Sequence, residues 1–192
     1  MVTFFNRRLT DRLSPKQLLQ HDANGLPIPQ LVAFELDNGS LKLITEVTRT
    51  IVAFANTQGG LIVIGAKKQL SAPPQLIGAT AKEISRIHKK LGEMIATNIQ
   101  PSLEVTIWRL PVKNQPNKEV LSLMVPASRA CPHVVVSENA IYVFEQTAVQ
   151  ASIDVVESLF ERKLIRRHLL PSRQQGDRSV DLTEEELKAL LS

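Results

Sequence analysis

Four cations, Lys82, Arg86, Lys89 and Lys90, recur at spacings of three and four residues. That spacing gathers side chains onto one side of an α-helix. Lys67 and Lys68 form a second basic group, and Arg162, Lys163, Arg166 and Arg167 a third. Clustered lysine and arginine attract phosphate by charge and by release of its condensed counterions. No aromatic residues interleave with these cations. The chemistry on offer is therefore contact with a phosphate backbone, sensitive to salt and poor at reading sequence. The alternative for the basic stretch at 161–180 is a solvated helix face with a linker.

Other constellations offer less. Cys131 and His133 flank Pro132, close in sequence but held apart by a stiff residue, and a reactive thiol also needs an electropositive setting. His21, His88, His133 and His168 show no metal-ligand spacing. No G-x-x-x-x-G-K-[ST] string is present, so no P-loop ATPase is expected. Neither a metal nor a cofactor is implied. A single cysteine excludes an internal disulfide and any multi-cysteine zinc site, and it fits a reducing compartment. Trp108 and Tyr142 read as strand or core residues rather than base-stacking platforms.

The 192 residues carry 23 Lys and Arg against 19 Asp and Glu, a formal charge of +4. Segment 161–180 alone has six cations against Glu161 and Asp177, a balance equal to that of the whole chain. It lies between acidic stretches at 121–160 and 181–192. Hydrophobic residues make up 43% and aromatics 4%, which describes a globular chain with a core of Ile, Leu, Val and Ala. No apolar run approaches the roughly 18 residues that would span a bilayer. A soluble, cytoplasmic protein without membrane contact is the expectation.

The elements that must position these residues follow from periodicity. Residues 1–29 read as an arm, broken by Asn24-Gly25 and by Pro27 and Pro29. A strand is expected from Leu31 to Leu36, then a helix from about Lys42 to Asn56 with Ile44, Val47, Ile51 and Ala55 inward. Gly59-Gly60 reads as a sharp glycine stop, and Leu61 to Ile64 as a strand buried on both faces. Thr80 and Glu83 form a capping box. The helix behind it runs to about Asn98 and turns Ile84, Ile87, Leu91 and Ile95 inward. Strands are expected over Leu103–Leu110 and Val120–Val125, joined by a turn at 114–117. A hairpin should pair Val134–Val136 with Ile141–Phe144. A helix from about Ser152 to Leu170 would carry Val155, Val156, Leu159 and Phe160 inward, and Pro171 would stop it. Residues 171–180 read as linker. Asp181 to Leu191 reads as a short acidic amphipathic helix whose Leu182, Leu187, Leu190 and Leu191 could dock into a groove or back onto the domain.

The string Ala53-Phe54-Ala55-Asn56-Thr57-Gln58-Gly59-Gly60-Leu61-Ile62-Val63-Ile64-Gly65 resembles the Schlafen-type AlbA-like domain, also called the divergent AAA type and often labelled DNA-binding. Leu121 to Ser128, Pro132 and Ile141 to Val143 match later family features in order, so the resemblance covers roughly 30–160. It implies an α/β (α+β) fold, a mixed β-sheet with packed helices. By residue chemistry alone, Asn56 can take a left-handed conformation or cap the helix, Gly59 and Gly60 can reverse the chain, and Gly65 admits a close backbone approach. A loop of that kind can also show N–H groups to a phosphate.

Some domains of this family cleave structured RNA. The resemblance places their two glutamates, five apart on the first strand, at Gln30 and Glu35, and their aspartate at Lys67 or Lys68. Only Glu35 keeps its charge. An amide and a cation cannot replace two acidic metal ligands. The family's following lysine becomes Asp37, and the arginine after its last strand becomes Phe144. The expectation is a domain of residues 30–170 that binds nucleic acid without catalysis. The alternative is a protein-interaction subunit, docking through its C-terminal helix or assembling as a homo-oligomer.

Overall fold

A computed structural model describes residues 30–36, 41–68, 74–113 and 115–169. The expectations for the arm at 1–29, the linker at 171–180 and the end helix at 181–192, with Leu182, Leu187, Leu190 and Leu191, lie outside the described residues.

The run of β-branched and aliphatic residues at Gly59–Ile64 forms β2, buried along its whole length. Its alternating side chains feed two apolar layers. Ile62 and Ile64 join a core built from helix α1 (Leu41–Asn56) and helix α2 (Ala81–Asn98), while Leu61 and Val63 pack with Ala66, Val112 and Val120 on the other face. Strand β1 (Leu31–Phe34) lies parallel to β2, Leu31 opposite Leu61. That pairing needs a crossover, and α1 supplies it. The long strand β8 (Gln115–Pro126) runs antiparallel to β2 on one side and to β7 (Thr106–Val112) on the other, and Lys118 and Glu119 also pair with the short β5 (Ala79–Thr80). The result is a mixed five-stranded sheet with helices packed on it, an α+β fold. Two-residue β3 (Ala66–Lys67) and β4 (Gln75–Leu76) pair beside it.

The expected inward positions Ile44, Val47, Ile51 and Ala55 are buried, as are Ile84, Ile87, Leu91 and Ile95. The capping box is formed: the Glu83 backbone N–H donates to Thr80 Oγ1, and the Thr80 N–H donates to the Glu83 carboxylate at 3.0 Å.

Four expectations need correction. Gly59 and Gly60 are not the corner. Thr57 and Gln58 make the turn, and the glycines are the first residues of β2. Their lack of a side chain matters there: Gly59 has φ +78°, and a Cβ on Gly60 would sit 2.5 Å from the Phe54 ring. That ring is fully buried and lies tilted at 56° against Phe144, with ring centres 4.6 Å apart. Gly60→Ala is therefore expected to lose about 2–3 kcal/mol through overpacking. Urea unfolding checks it, with a lowered midpoint at unchanged slope.

The second correction concerns the expected hairpin. Val134–Val135 (β9) pairs instead with Ile99–Gln100 (β6). Residues 136–138 form a single 3-10 turn, held by Asn98, whose Nδ2 donates to Ser137 Oγ at 2.8 Å and whose Oδ1 accepts the Ser137 N–H at 2.6 Å. Tyr142–Phe144 (β10) then pairs with Ala148–Gln150 (β11), and this hairpin packs on α1. The third is helix α3 (Ile153–Leu169), where only Leu159 of the four expected residues is fully buried and Phe160 is 48% exposed. The turn after β7 is also shorter than expected, because β8 already begins at Gln115.

Candidate nucleic-acid interface

Helix α2 presents the expected cations together. Its buried stripe and capping box fix its rotation on the sheet, and Lys82, Arg86, Lys89 and Lys90 are all exposed. Eight residues at 1.5 Å rise separate the first from the last, about 12 Å along the axis. Lys89 lies 4.0 Å from Glu93, an exposed pair of little strength. Arg109 of β7 anchors the start of this helix. It pairs with Glu119 at 2.8 Å through Nε, and its Nη1 donates to Ser85 Oγ at 3.1 Å. Lys118 stands opposite Thr80 in the β5–β8 register, near the start of this helix. Sequence reading missed Lys118 because cross-strand register is not written in local periodicity.

The other expected cations are placed differently. Lys67 and Lys68 are exposed just after β2, Lys67 opposite Gln75. Arg162 is not available to a ligand: its Nη2 donates to the Asn56 carbonyl and lies 3.4 Å from Cys131 Sγ. Lys163 is half-buried, and the side chains of Arg166, Arg167 and His168 lie outside the described residues.

Of the family's acidic positions, only Glu35 is a carboxylate here. Glu35 lines a cavity of about 370 Å³ with Gly65, Gly78, Thr80, Glu83 and Lys118. Lys68 lines a different cavity of about 450 Å³, between β1, α1 and the β10–β11 hairpin. Gln30 lines neither. Among the described residues no group of three or more His, Cys, Asp or Glu could hold a metal ion.

Asn56 proves to be a core lock rather than a left-handed cap. It is fully buried; its Nδ2 donates to the carbonyls of His133 (3.0 Å) and Tyr142 (2.9 Å), and its Oδ1 accepts the His133 N–H at 2.7 Å. Gly65, with φ +95°, turns its carbonyl to accept the N–H groups of Ile77 and Gly78. The motif loop is thus built for packing.

Cys131 is buried and has Arg162, not His133, beside it. His133 is also fully buried, its Nδ1 2.8 Å from the Pro101 carbonyl and its Nε2 2.6 Å from Ser128 Oγ. A carbonyl can only accept, so Nδ1 carries the proton and Nε2 accepts from the serine. Burial lowers the His133 pKa, opposed by the Pro101 hydrogen bond and reinforced by Lys163. A depressed histidine pKa means that the unfolded chain binds the proton more tightly. Stability should therefore fall as pH drops through the unfolded value near ~6.5. Thermal melts at pH 7.5 and 5.5 are expected to differ less for His133→Gln than for the natural chain.

Arg49 was not singled out by sequence. Its Nε donates to both Glu138 oxygens at 3.0 and 2.9 Å, and its guanidinium lies 5.6 Å from the Tyr142 ring centre. Tyr142 donates its O–H to the same carboxylate. Burial works to raise the Glu138 pKa, but these two hydrogen bonds outweigh it and hold it low. Tyr142 is committed to this contact and is no free stacking platform.

None of the described helices is long and apolar enough to cross a membrane. No curated protein matches the chain. Several solved structures resemble it, two of them as follows. One is the DIP2311 protein from Corynebacterium diphtheriae, at 16% identity and a TM-score of 0.45, with 77% of this chain covering 24% of that one. The other is the N-terminal domain of a RecG-related protein from Nitrosomonas europaea, at 15% identity and a TM-score of 0.42, covering 80% and 84%. A family model for Schlafen AlbA_2 matches residues 33–150, which include β2, α2, β8 and the Asn56 lock, and the chain belongs to that family.

Proposed function

We propose that this protein is a non-catalytic nucleic-acid-binding domain that grips phosphate backbone through the outer face of α2. The observation carrying this reading is the row of four exposed cations, Lys82, Arg86, Lys89 and Lys90, on one capped and buried-side-anchored helix. Lys118 lies near the start of the same helix, and Lys67 and Lys68 offer a separate contact. Family membership supports a nucleic-acid ligand. Replacement of two of the three acidic positions by Gln30 and Lys67 or Lys68 supports loss of cleavage, because Glu35 alone cannot hold a divalent cation against a phosphate. With no base-stacking side chain in the row, recognition rests on charge and carries little sequence preference. A reducing, cytoplasmic setting is proposed with it, on the strength of one buried thiol.

A gel-shift titration with unrelated duplex and single-stranded oligonucleotides at low salt tests the binding. Incubation with Mg²⁺ or Mn²⁺ and structured RNA tests the absence of cleavage. Binding with intact RNA is the expected result. No shift at low salt overturns the binding half, and metal-dependent cleavage abolished by Glu35→Gln overturns the non-catalytic half.

A further inference from the structure

Helix α3 is packed through one side only. Leu159 is 5% exposed, and Arg162 reaches in to Asn56. On the opposite side, Ile153 is 76% exposed, Phe160 48% and Leu164 53%. At about 100° per residue these three fall within roughly 40° of one another. Asp154, Glu157 and Glu161 stand exposed on the same side. The face is thus apolar with an anionic flank. That flank repels phosphate and lies outside the proposed nucleic-acid interface. Three large apolar side chains gathered on one solvent-facing stripe mark a contact surface.

Charge decides between the chain's two outlying stretches. Residues 170–192 carry Arg173, Arg178 and Lys188 against five acids and would be repelled. Residues 1–29 carry Arg7, Arg8, Arg12 and Lys16 against Asp11 and Asp22. Within them Phe5, Leu9 and Leu13 recur every four residues, with Arg8 and Arg12 at the same interval beside them. In helical form that spacing gives an apolar stripe bordered by cations. We propose that residues 1–29 dock onto the exposed face of α3 in the same chain. Phe5, Leu9 and Leu13 meet Ile153, Phe160 and Leu164, while Arg8 and Arg12 meet Glu157 and Glu161. Reach is no obstacle: the sixteen residues from Ser14 to Pro29 extend up to about 50 Å, against a radius of gyration of roughly 16 Å for a chain of this length. Docking withholds those arginines from phosphate.

Hydrogen exchange on the full chain tests this. Amides of residues 5–16 are expected to exchange at least about 10-fold more slowly than an unstructured peptide. Glu157→Lys with Glu161→Lys removes that protection, and adding Arg8→Glu with Arg12→Glu restores it. Phe160→Asp also removes it. Glu157, Phe160 and Glu161 are exposed, and unchanged circular dichroism confirms that each variant folds. An unprotected arm in the natural chain overturns the proposal. So does protection that survives Glu157→Lys with Glu161→Lys, or protection that appears only at concentrations where light scattering shows dimers.

Discussion

Asn56→Leu is expected to cost about 3–5 kcal/mol, the largest loss for any single polar side chain in the fold. Three backbone groups depend on this amide: the His133 N–H, the His133 carbonyl and the Tyr142 carbonyl. All are reached from the end of α1, so one side chain ties that helix to β10 and to the strand after Pro132. Leucine fills the space but leaves all three groups unpaired, and each costs about 1–3 kcal/mol when buried. Domains of this kind have about 5–15 kcal/mol to lose. Asn56→Asp separates the hydrogen bonds from the shape. Its carboxylate would face two carbonyls in a buried site, so its folded pKa rises above the ordinary value. Stability is then lost as pH climbs above the unfolded value near ~4. Chemical denaturation between pH 4 and 7 should show the aspartate variant recovering toward acid while the leucine variant does not. A loss below about 1 kcal/mol for leucine would contradict the assignment.

Neutralising the α2 stripe carries the largest functional effect. The quadruple variant Lys82→Gln, Arg86→Gln, Lys89→Gln and Lys90→Gln is expected to bind nucleic acid at least about 100-fold more weakly at 0.1 M salt. Glutamine is a good helix former and leaves the capping box and the buried stripe untouched, so the melting temperature should move little. Arg162→Gln is the informative control. It is as basic in sequence as any of the four, yet it is committed to the Asn56 carbonyl. It should lower the melting temperature and leave affinity unchanged. Fluorescence anisotropy with a labelled duplex measures both. Equal weakening by Arg162→Gln and the quadruple variant would show that charge acts through the whole chain rather than through one helix face.

The contrast between these cations shows what a sequence reveals. The α2 stripe was legible because helical periodicity fixes which residues share a face, and Ile84, Ile87, Leu91 and Ile95 fixed which face is buried. The same logic failed on α3. Its Val155 and Phe160 are as apolar as core residues, yet both stand exposed and only Leu159 is buried. Asn56 sat in a motif that suggested a turn. Its role depends on partners 77 and 86 residues away, and local pattern cannot show that. The two glycines were read as a corner, because the clash a side chain on Gly60 would have with Phe54 is a tertiary fact. Lys118 and Arg49 were missed for the same reason: one is placed by strand register, the other by an ion pair spanning 89 residues.

The most direct measurement is the salt dependence of affinity. About four phosphate contacts predict a slope of roughly −3 to −4 when the logarithm of the duplex binding constant is plotted against that of the salt concentration. The glutamine quadruple variant should give a clearly shallower slope on the same axes. A natural chain that shows no slope, or no binding even at 50 mM salt or below, would contradict the reading of α2 as a phosphate-gripping face.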